Sequence, residues 1–180
     1  MRLLLFSLVL GTAALTCVAD QVPFAIVHGP KAAFNIAAPE GWLIDNSAGA
    51  ENGLPCVLFR KGQSWETADP LMYAKIAHTS NEDAKAFAKT AITEMKKQRG
   101  NYGVKRVESG KTKGGESYFI NEYSPTKTYP RTERVAYVQL PKAVAFIVYS
   151  ADSKPVFRKH QTALKQLLES FMAMTVKREE

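Results

Sequence analysis

Cysteine is nearly absent from this chain: Cys17 and Cys56 are the only two among 180 residues. A disulfide-stapled scaffold is therefore excluded. Histidine is almost as scarce, with His28, His78 and His160 alone. No two of them stand three or four residues apart, the spacing that sets two metal ligands on one helix face. Beyond the first residues no apolar run approaches the roughly 20 residues that span a bilayer. There is no Gly-x-Ser-x-Gly elbow for a serine nucleophile. Gly114-Gly115 lacks the Walker spacing and its Lys-Ser/Thr end, so it is no phosphate loop. Internal repeats, low-complexity tracts and Pro/Gly-rich linkers are missing too, which leaves no reason to divide the chain. Together these absences remove the common catalytic, metal and cofactor motifs: no catalytic residue, metal or cofactor is expected.

What is present begins at the start. Arg2 precedes the apolar run Leu3 to Leu10, and Cys17-Val18-Ala19 offers small side chains before Asp20-Gln21. A basic residue, a short apolar stretch and an Ala-x-Ala-like end form a secretory signal. Residues 1–19 are read as a cleaved leader and residues 20–180 as a single domain, periplasmic or secreted. The remainder, roughly 160 residues, suits one ordinary domain. Acylation of Cys17 is the alternative, although Ala14 and Thr16 occupy the places where a lipobox carries Leu and a small Gly, Ala or Ser. A cut after Ala14 would leave Cys17 to pair with Cys56; a cut after Ala19 leaves Cys56 alone. Within Leu54-Pro55-Cys56-Val57-Leu58-Phe59, Cys56 reads as a small buried apolar residue.

The formal charge of the whole chain is +7. Outside the cytoplasm such a surplus favours acidic protein, acidic polysaccharide or anionic lipid, not nucleic acid. Membrane association is expected only through a lipidated Cys17 or through the basic surface.

Short apolar stretches bounded by turn residues predict strands at 23–28, 33–37, 42–44, 54–61, 70–78, 104–108, 117–123, 134–140 and 143–149. Lys111 to Gly115 and Pro141-Lys142 are hairpin turns. Ala84, Phe87, Ala88, Ala91 and Met95 recur at helical spacing, with Ser80 as the expected N-cap, Asp83 three residues on, and Gly100 as the stop. A last helix starts near Ser153 and places Phe157, His160, Leu164, Leu167, Leu168 and Phe171 on one stripe, so His160 is expected in the core. Val176 to Glu180 reads as a charged tail. Runs of strands with segregated helices predict an antiparallel α+β sandwich with two principal helices.

Phe34-Asn35-Ile36-Ala37-Ala38-Pro39-Glu40-Gly41-Trp42 resembles the F-x-I-x-x-P-x-G-W entry strand of the PsbP-like proteins. Glu133-Arg134-Val135-Ala136-Tyr137 and the closing Phe157, Leu164, Leu168 and Phe171 helix resemble that family's C-terminal half. The family includes the photosystem II extrinsic subunit, a Ran-binding nuclear import factor and small exported bacterial proteins. The resemblance implies a three-layer α/β/α sandwich around a mainly antiparallel sheet, and a role in binding proteins or membranes. The matched positions are turn and core residues, so no functional residue is carried over with them.

For binding, the loop from Ser124 to Thr132 presents Lys127, Tyr129, Pro130 and Arg131 and leads to Arg134. Aromatic and arginine side chains are favoured at contact centres. Trp65, in the loop 62–69, is a further candidate. Trp65, Tyr129, Arg131 and Arg134 are thus the expected binding residues. Lys85, Lys89 and Lys96 share one flank of the first helix and read as its wet side; Glu82-Asp83 suits a helix start. His28 reads as a turn residue and His78 as a half-exposed structural one. The expected function is non-enzymatic binding of an unknown protein or envelope component. The alternatives are an extracytoplasmic enzyme with a dispersed site and a small-ligand carrier.

Overall fold

The computed structural model describes residues 24–78 and 83–174. The leader, Cys17, the Ser80 cap and the charged tail lie outside the described residues. The elements follow the expected order, with two helices where one last helix was expected. They are β1 (Phe24–His28), β2 (Ala33–Ala37), β3 (Trp42–Asp45), β4 (Val57–Arg60), β5 (Leu71–Ile76), α1 (Ala84–Arg99), β6 (Val104–Lys111), β7 (Ser117–Tyr123), β8 (Thr132–Leu140), β9 (Ala143–Ala151), α2 (Lys154–His160) and α3 (Thr162–Ser170). A final short strand, β10 (Met172–Met174), was not expected.

Seven strands form one antiparallel sheet in the order β3-β4-β5-β9-β8-β7-β6, and β1-β2-β10 form a second. The large sheet is the middle layer. Alternation of side chains along β9 sends Val144, Phe146 and Val148 toward α1, and Ala145, Ile147 and Tyr149 toward the other face. On the first face α1 packs Ala84, Ala88 and Phe87 over Tyr137 and Val148. On the second, α2, α3 and the small sheet together bury Leu164, Leu167, Leu168 and Phe34 against β5, β9 and β8. The fold is therefore α+β, in three layers, with the third layer part helix and part sheet.

Local chemistry explains most of the boundaries. The Trp42 amide donates to the Pro39 carbonyl at 3.0 Å, and Gly41, third in that turn, has φ of 75°. A type II turn requires this left-handed backbone, which glycine adopts without steric cost. The turn seats Trp42 in the core, and that is the physical content of the Pro-x-Gly-Trp motif. Cys56 is fully buried and unpaired, and burial pushes its thiol up to about 12. It is a core residue and no nucleophile.

Three expectations are corrected. Asp83 itself caps α1, its carboxylate accepting from the Ala86 amide at 2.8 Å. The last helix is broken at Gln161 into α2 and α3. His160, the last residue of α2 before the break, leaves the core and sits half-exposed, its Nδ1 2.7 Å from Arg60 Nη1. Burial and the adjacent Arg60 and Lys159 cations lower its pKa, so the ring accepts from the guanidinium. Beyond α3, Met172 to Met174 pair with β2 because Phe171 turns the chain back. Its ring stacks on Phe34 with centroids 4.5 Å apart, fixing the small sheet to the end of α3.

Phe171→Ala should destabilise the fold by about 3–5 kcal/mol, the usual range for a fully buried phenylalanine. Urea unfolding checks this, and a loss below about 1 kcal/mol would refute the anchoring role.

Candidate functional site

The four expected binding residues do not form one site. Tyr129 and Arg131 converge on one end of the large sheet, at the α1 face. Arg134, one residue beyond Glu133 on β8, points to the opposite face. There its guanidinium meets Glu122 Oε2 at 2.8 and 2.9 Å and lies 5.4 Å from the Phe157 ring. Trp65 sits half-buried on a single helical turn, Trp65–Thr67, against the Val57, Phe59 and Ala68 cluster.

Tyr129 and Arg131 are engaged internally. Glu133, only 3% exposed, accepts from Arg99 Nη1 at 2.7 Å and from the Tyr129 hydroxyl at 2.5 Å. The Arg99 guanidinium also lies 3.7 Å from the Tyr129 ring centroid. Burying a carboxylate is tolerable when charged donors reach it in this way. Tyr129 is pushed up to about 12, first by burial and then by the Glu133 charge. Tyr73 is raised by the same causes in the same order. Thr128 donates its hydroxyl to the Arg99 carbonyl at 2.8 Å, so the loop also closes the end of α1.

Arg131 knits three segments. Its Nε donates to Ser150 Oγ at 2.8 Å, and its Nη2 reaches the Ser150 carbonyl at 3.2 Å and Asp69 at 3.5 Å. Its Nη1 pairs with Asp152. Asp69 in turn accepts from the Asp152 amide at 2.9 Å. The crevice among Arg99, Tyr129, Arg131 and Glu133 holds about 10 Å³, roughly the space of one water. It has no room for a substrate.

The opposite end of the sheet differs. Two open hollows of about 300 and 320 Å³ share Ile76 and His78 as a common wall. His28, Asn46, Leu54, Pro55 and Lys75 complete the first. Pro30, Lys31, Ala77, Lys142 and Ala143 complete the second. The groove exists because the β4 side bonds β5 only as far as the Ala74 amide on the Cys56 carbonyl, whereas β5 continues along β9 to Ile76↔Ala145. The two strand ends diverge and leave a gap. Asn46 holds its far wall, donating to the Ile26 carbonyl at 3.2 Å and the Pro55 carbonyl at 2.8 Å. Gly29 packs against the shared wall: a Cβ there would lie 2.7 Å from the Ile76 Cβ, so only glycine lets the β1–β2 turn come this near.

Five basic side chains thus meet from three stretches: His28 and Lys31, Lys75 and His78, and Lys142. His28, Lys31, His78 and Lys142 are exposed and Lys75 half-exposed. Among the described residues no carboxylate lines either hollow. Nor does any group of three or more His, Cys, Asp and Glu among them stand close enough to hold a metal ion. The groove can attract anions, but it presents no acid to orient either histidine as a base. Sequence reasoning took His28 and His78 one at a time. The signal available was a basic residue beside each of several turns; which turns share an end of the sheet depends on the pairing of β5 with β9.

Comparisons with known proteins concern the fold. No family model matches the chain, and no curated protein does. Among solved structures, cyanobacterial PsbP (CyanoP) from Synechocystis sp. PCC 6803 is similar with a TM-score of 0.55 and 13% identity. That match covers 92% of this chain and 99% of the other. LpqN, described as involved in cell envelope biogenesis of Mycobacterium tuberculosis, has a TM-score of 0.54 and 17% identity. It covers 84% of this chain and 91% of its own. At such identities the likeness concerns architecture, not activity. The architecture is that of the PsbP-like fold.

Proposed function

We propose that this protein is an exported, non-catalytic binding protein that holds a protein or envelope partner in the basic groove. The observation that carries the proposal is the junction of two open hollows at Ile76 and His78, lined by five basic side chains. The leader-like Met1 to Ala19 supports export. The likeness to LpqN supports a setting in the envelope. At the other end of the sheet, Tyr129 and Arg99 spend their polar groups on Glu133, and Arg131 spends its own on Ser150, Asp69 and Asp152, so their role is to hold the loop, the sheet and α1 together.

Two experiments separate these roles. Benzoylphenylalanine placed at Lys142 should capture a partner in an envelope extract, and capture should fall when unmodified protein is added in excess. The same residue at Lys89, on the exposed flank of α1, should capture nothing. Equal capture from both positions would count against the groove, and turnover of a substrate lost on His78→Ala would favour the enzyme reading instead.

Glu133→Gln should leave that capture unchanged and lower stability. A fully buried pair loses about 3–5 kcal/mol when broken. With a quarter of Arg99 still in water, a loss of about 2 kcal/mol in urea is expected. The pH dependence has a definite sign. The Tyr129 phenol ionises near pH 10 when unfolded and only at about 12 when folded. Its contribution is therefore complete below pH ~10 and is lost as the pH climbs to about 12. Removing the Glu133 charge should narrow that window, which a tyrosinate absorbance titration of Glu133→Gln would detect.

A further inference from the structure

We infer that the groove's ligand is an extended acidic segment of a partner protein, one in which carboxylates alternate with apolar side chains. This rests on the binding reading above and names the chemistry of its partner. The rim is cationic: Lys75 stands over the first hollow and Lys142 over the second, with His78 between them. The floor is apolar, formed by Ile76 with Leu54 and Pro55 on one side and Ala77 and Ala143 on the other. A ligand filling both surfaces needs anionic and apolar groups in alternation.

The main chain adds a further contact. Ala74 donates its amide to Cys56 on the β4 side, and Ala77 donates to Val144 on the β9 side. In an antiparallel strand the direction of these groups alternates residue by residue. The peptide N–H and carbonyl of Ile76 therefore face the β4 side, where the first hollow takes the place of a strand. An extended peptide can add there by strand pairing while its side chains meet the lysines and the floor.

Other anionic partners fit less well. Sugar rings are commonly held on aromatic faces, and among the described residues no aromatic lines either hollow. A lipid surface calls for apolar side chains that protrude beside the basic ones. Among the described residues the exposed large apolar ones are Phe24, Leu43, Met172 and Met174, and none of them borders the groove.

The test is fluorescence anisotropy with a labelled peptide of alternating glutamate and leucine, titrated with the full mature chain. Binding should be saturable and weaken as salt rises. The double variant Lys75→Glu/Lys142→Glu should weaken it by about tenfold or more, because like charges then face the ligand. Lys75→Gln/Lys142→Gln should give an intermediate loss, and Lys85→Glu/Lys89→Glu on α1 should give none. Unchanged thermal melting of each variant guards against misfolding. Failure of the peptide to bind, or binding indifferent to the groove variants, would overturn the inference. So would groove-dependent binding of phosphatidylglycerol vesicles or polygalacturonate in place of the peptide. If Lys142 still captures a partner when the peptide fails, only the partner's chemistry was wrong; if neither occurs, the binding reading falls as well.

Discussion

Six residues of β5 run antiparallel to β9, from Leu71↔Ser150 to Ile76↔Ala145, and the rest of the molecule is arranged around this seam. It joins the strands before α1 to the meander that follows it, segments more than sixty residues apart along the chain. The β3-β4-β5 side would be a poor sheet alone, because β3 and β4 are four residues each and such short strands are marginal in water without neighbours. Once joined, β5 and β9 present one continuous surface on each side. Met72, Ala74, Ala145, Ile147 and Tyr149 then bury against the small sheet and the last helices. At one end the seam places Asp69 beside Ser150 and Asp152, where Arg131 ties them. At the other it places His78 beside Lys142. The rigid end and the open end of the sheet are consequences of the same register.

That seam also marks where the sequence stops being informative. The strands, the α1 stripe, Gly100 as its stop and the Pro39-Gly41 turn were legible because each depends on neighbours within a few residues. Ala84 and Ala88 face the core as their spacing requires, and Cys56 is buried as its apolar neighbours imply. Three features escaped for related reasons. β10 has no pattern of its own; Met172 to Met174 are extended because β2 offers an edge and Phe171 finds Phe34. His160 was assigned to the core by carrying one helical period through Gln161, where the helix breaks. The groove escaped because its five basic residues come from separate segments whose proximity is set by the pairing of β5 with β9, not by distance along the chain.

The positive charge of the chain is divided by chemistry as well as by place. Arginines dominate the internal ties. Arg99 meets Glu133, Arg131 meets Asp69 and Asp152, Arg134 meets Glu122, and Arg106 meets Asn121 with its guanidinium 3.7 Å from the Phe119 ring. Each uses the planar, multi-donor head that suits several fixed acceptors at once. Lysines predominate where the surface is open: at the groove, and along α1 at Lys85, Lys89 and Lys96. A compact ammonium on a flexible stem is poorly suited to fixing a fold, but it can follow a carboxylate on an incoming chain. Net charge by itself does not reveal this division, since it counts both kinds alike.

The division bears on which end of the molecule evolution could vary without unfolding it. Changing Arg131 or Glu133 leaves buried polar groups without partners, and the cost of such groups exceeds the value of the bond itself. Changing Lys75 or Lys142 removes charge from a solvated rim, where stability effects are usually within about 0.5 kcal/mol. A scaffold built this way can be retuned at the groove while its seam and clamp stay fixed. Gly29 is the exception at the open end. A side chain there would strike Ile76, so the hairpin that carries His28 and Lys31 would have to move away from β5. Under the proposed binding role, specificity at the groove is thus adjusted through its lysines, whereas the groove's shape depends on one glycine.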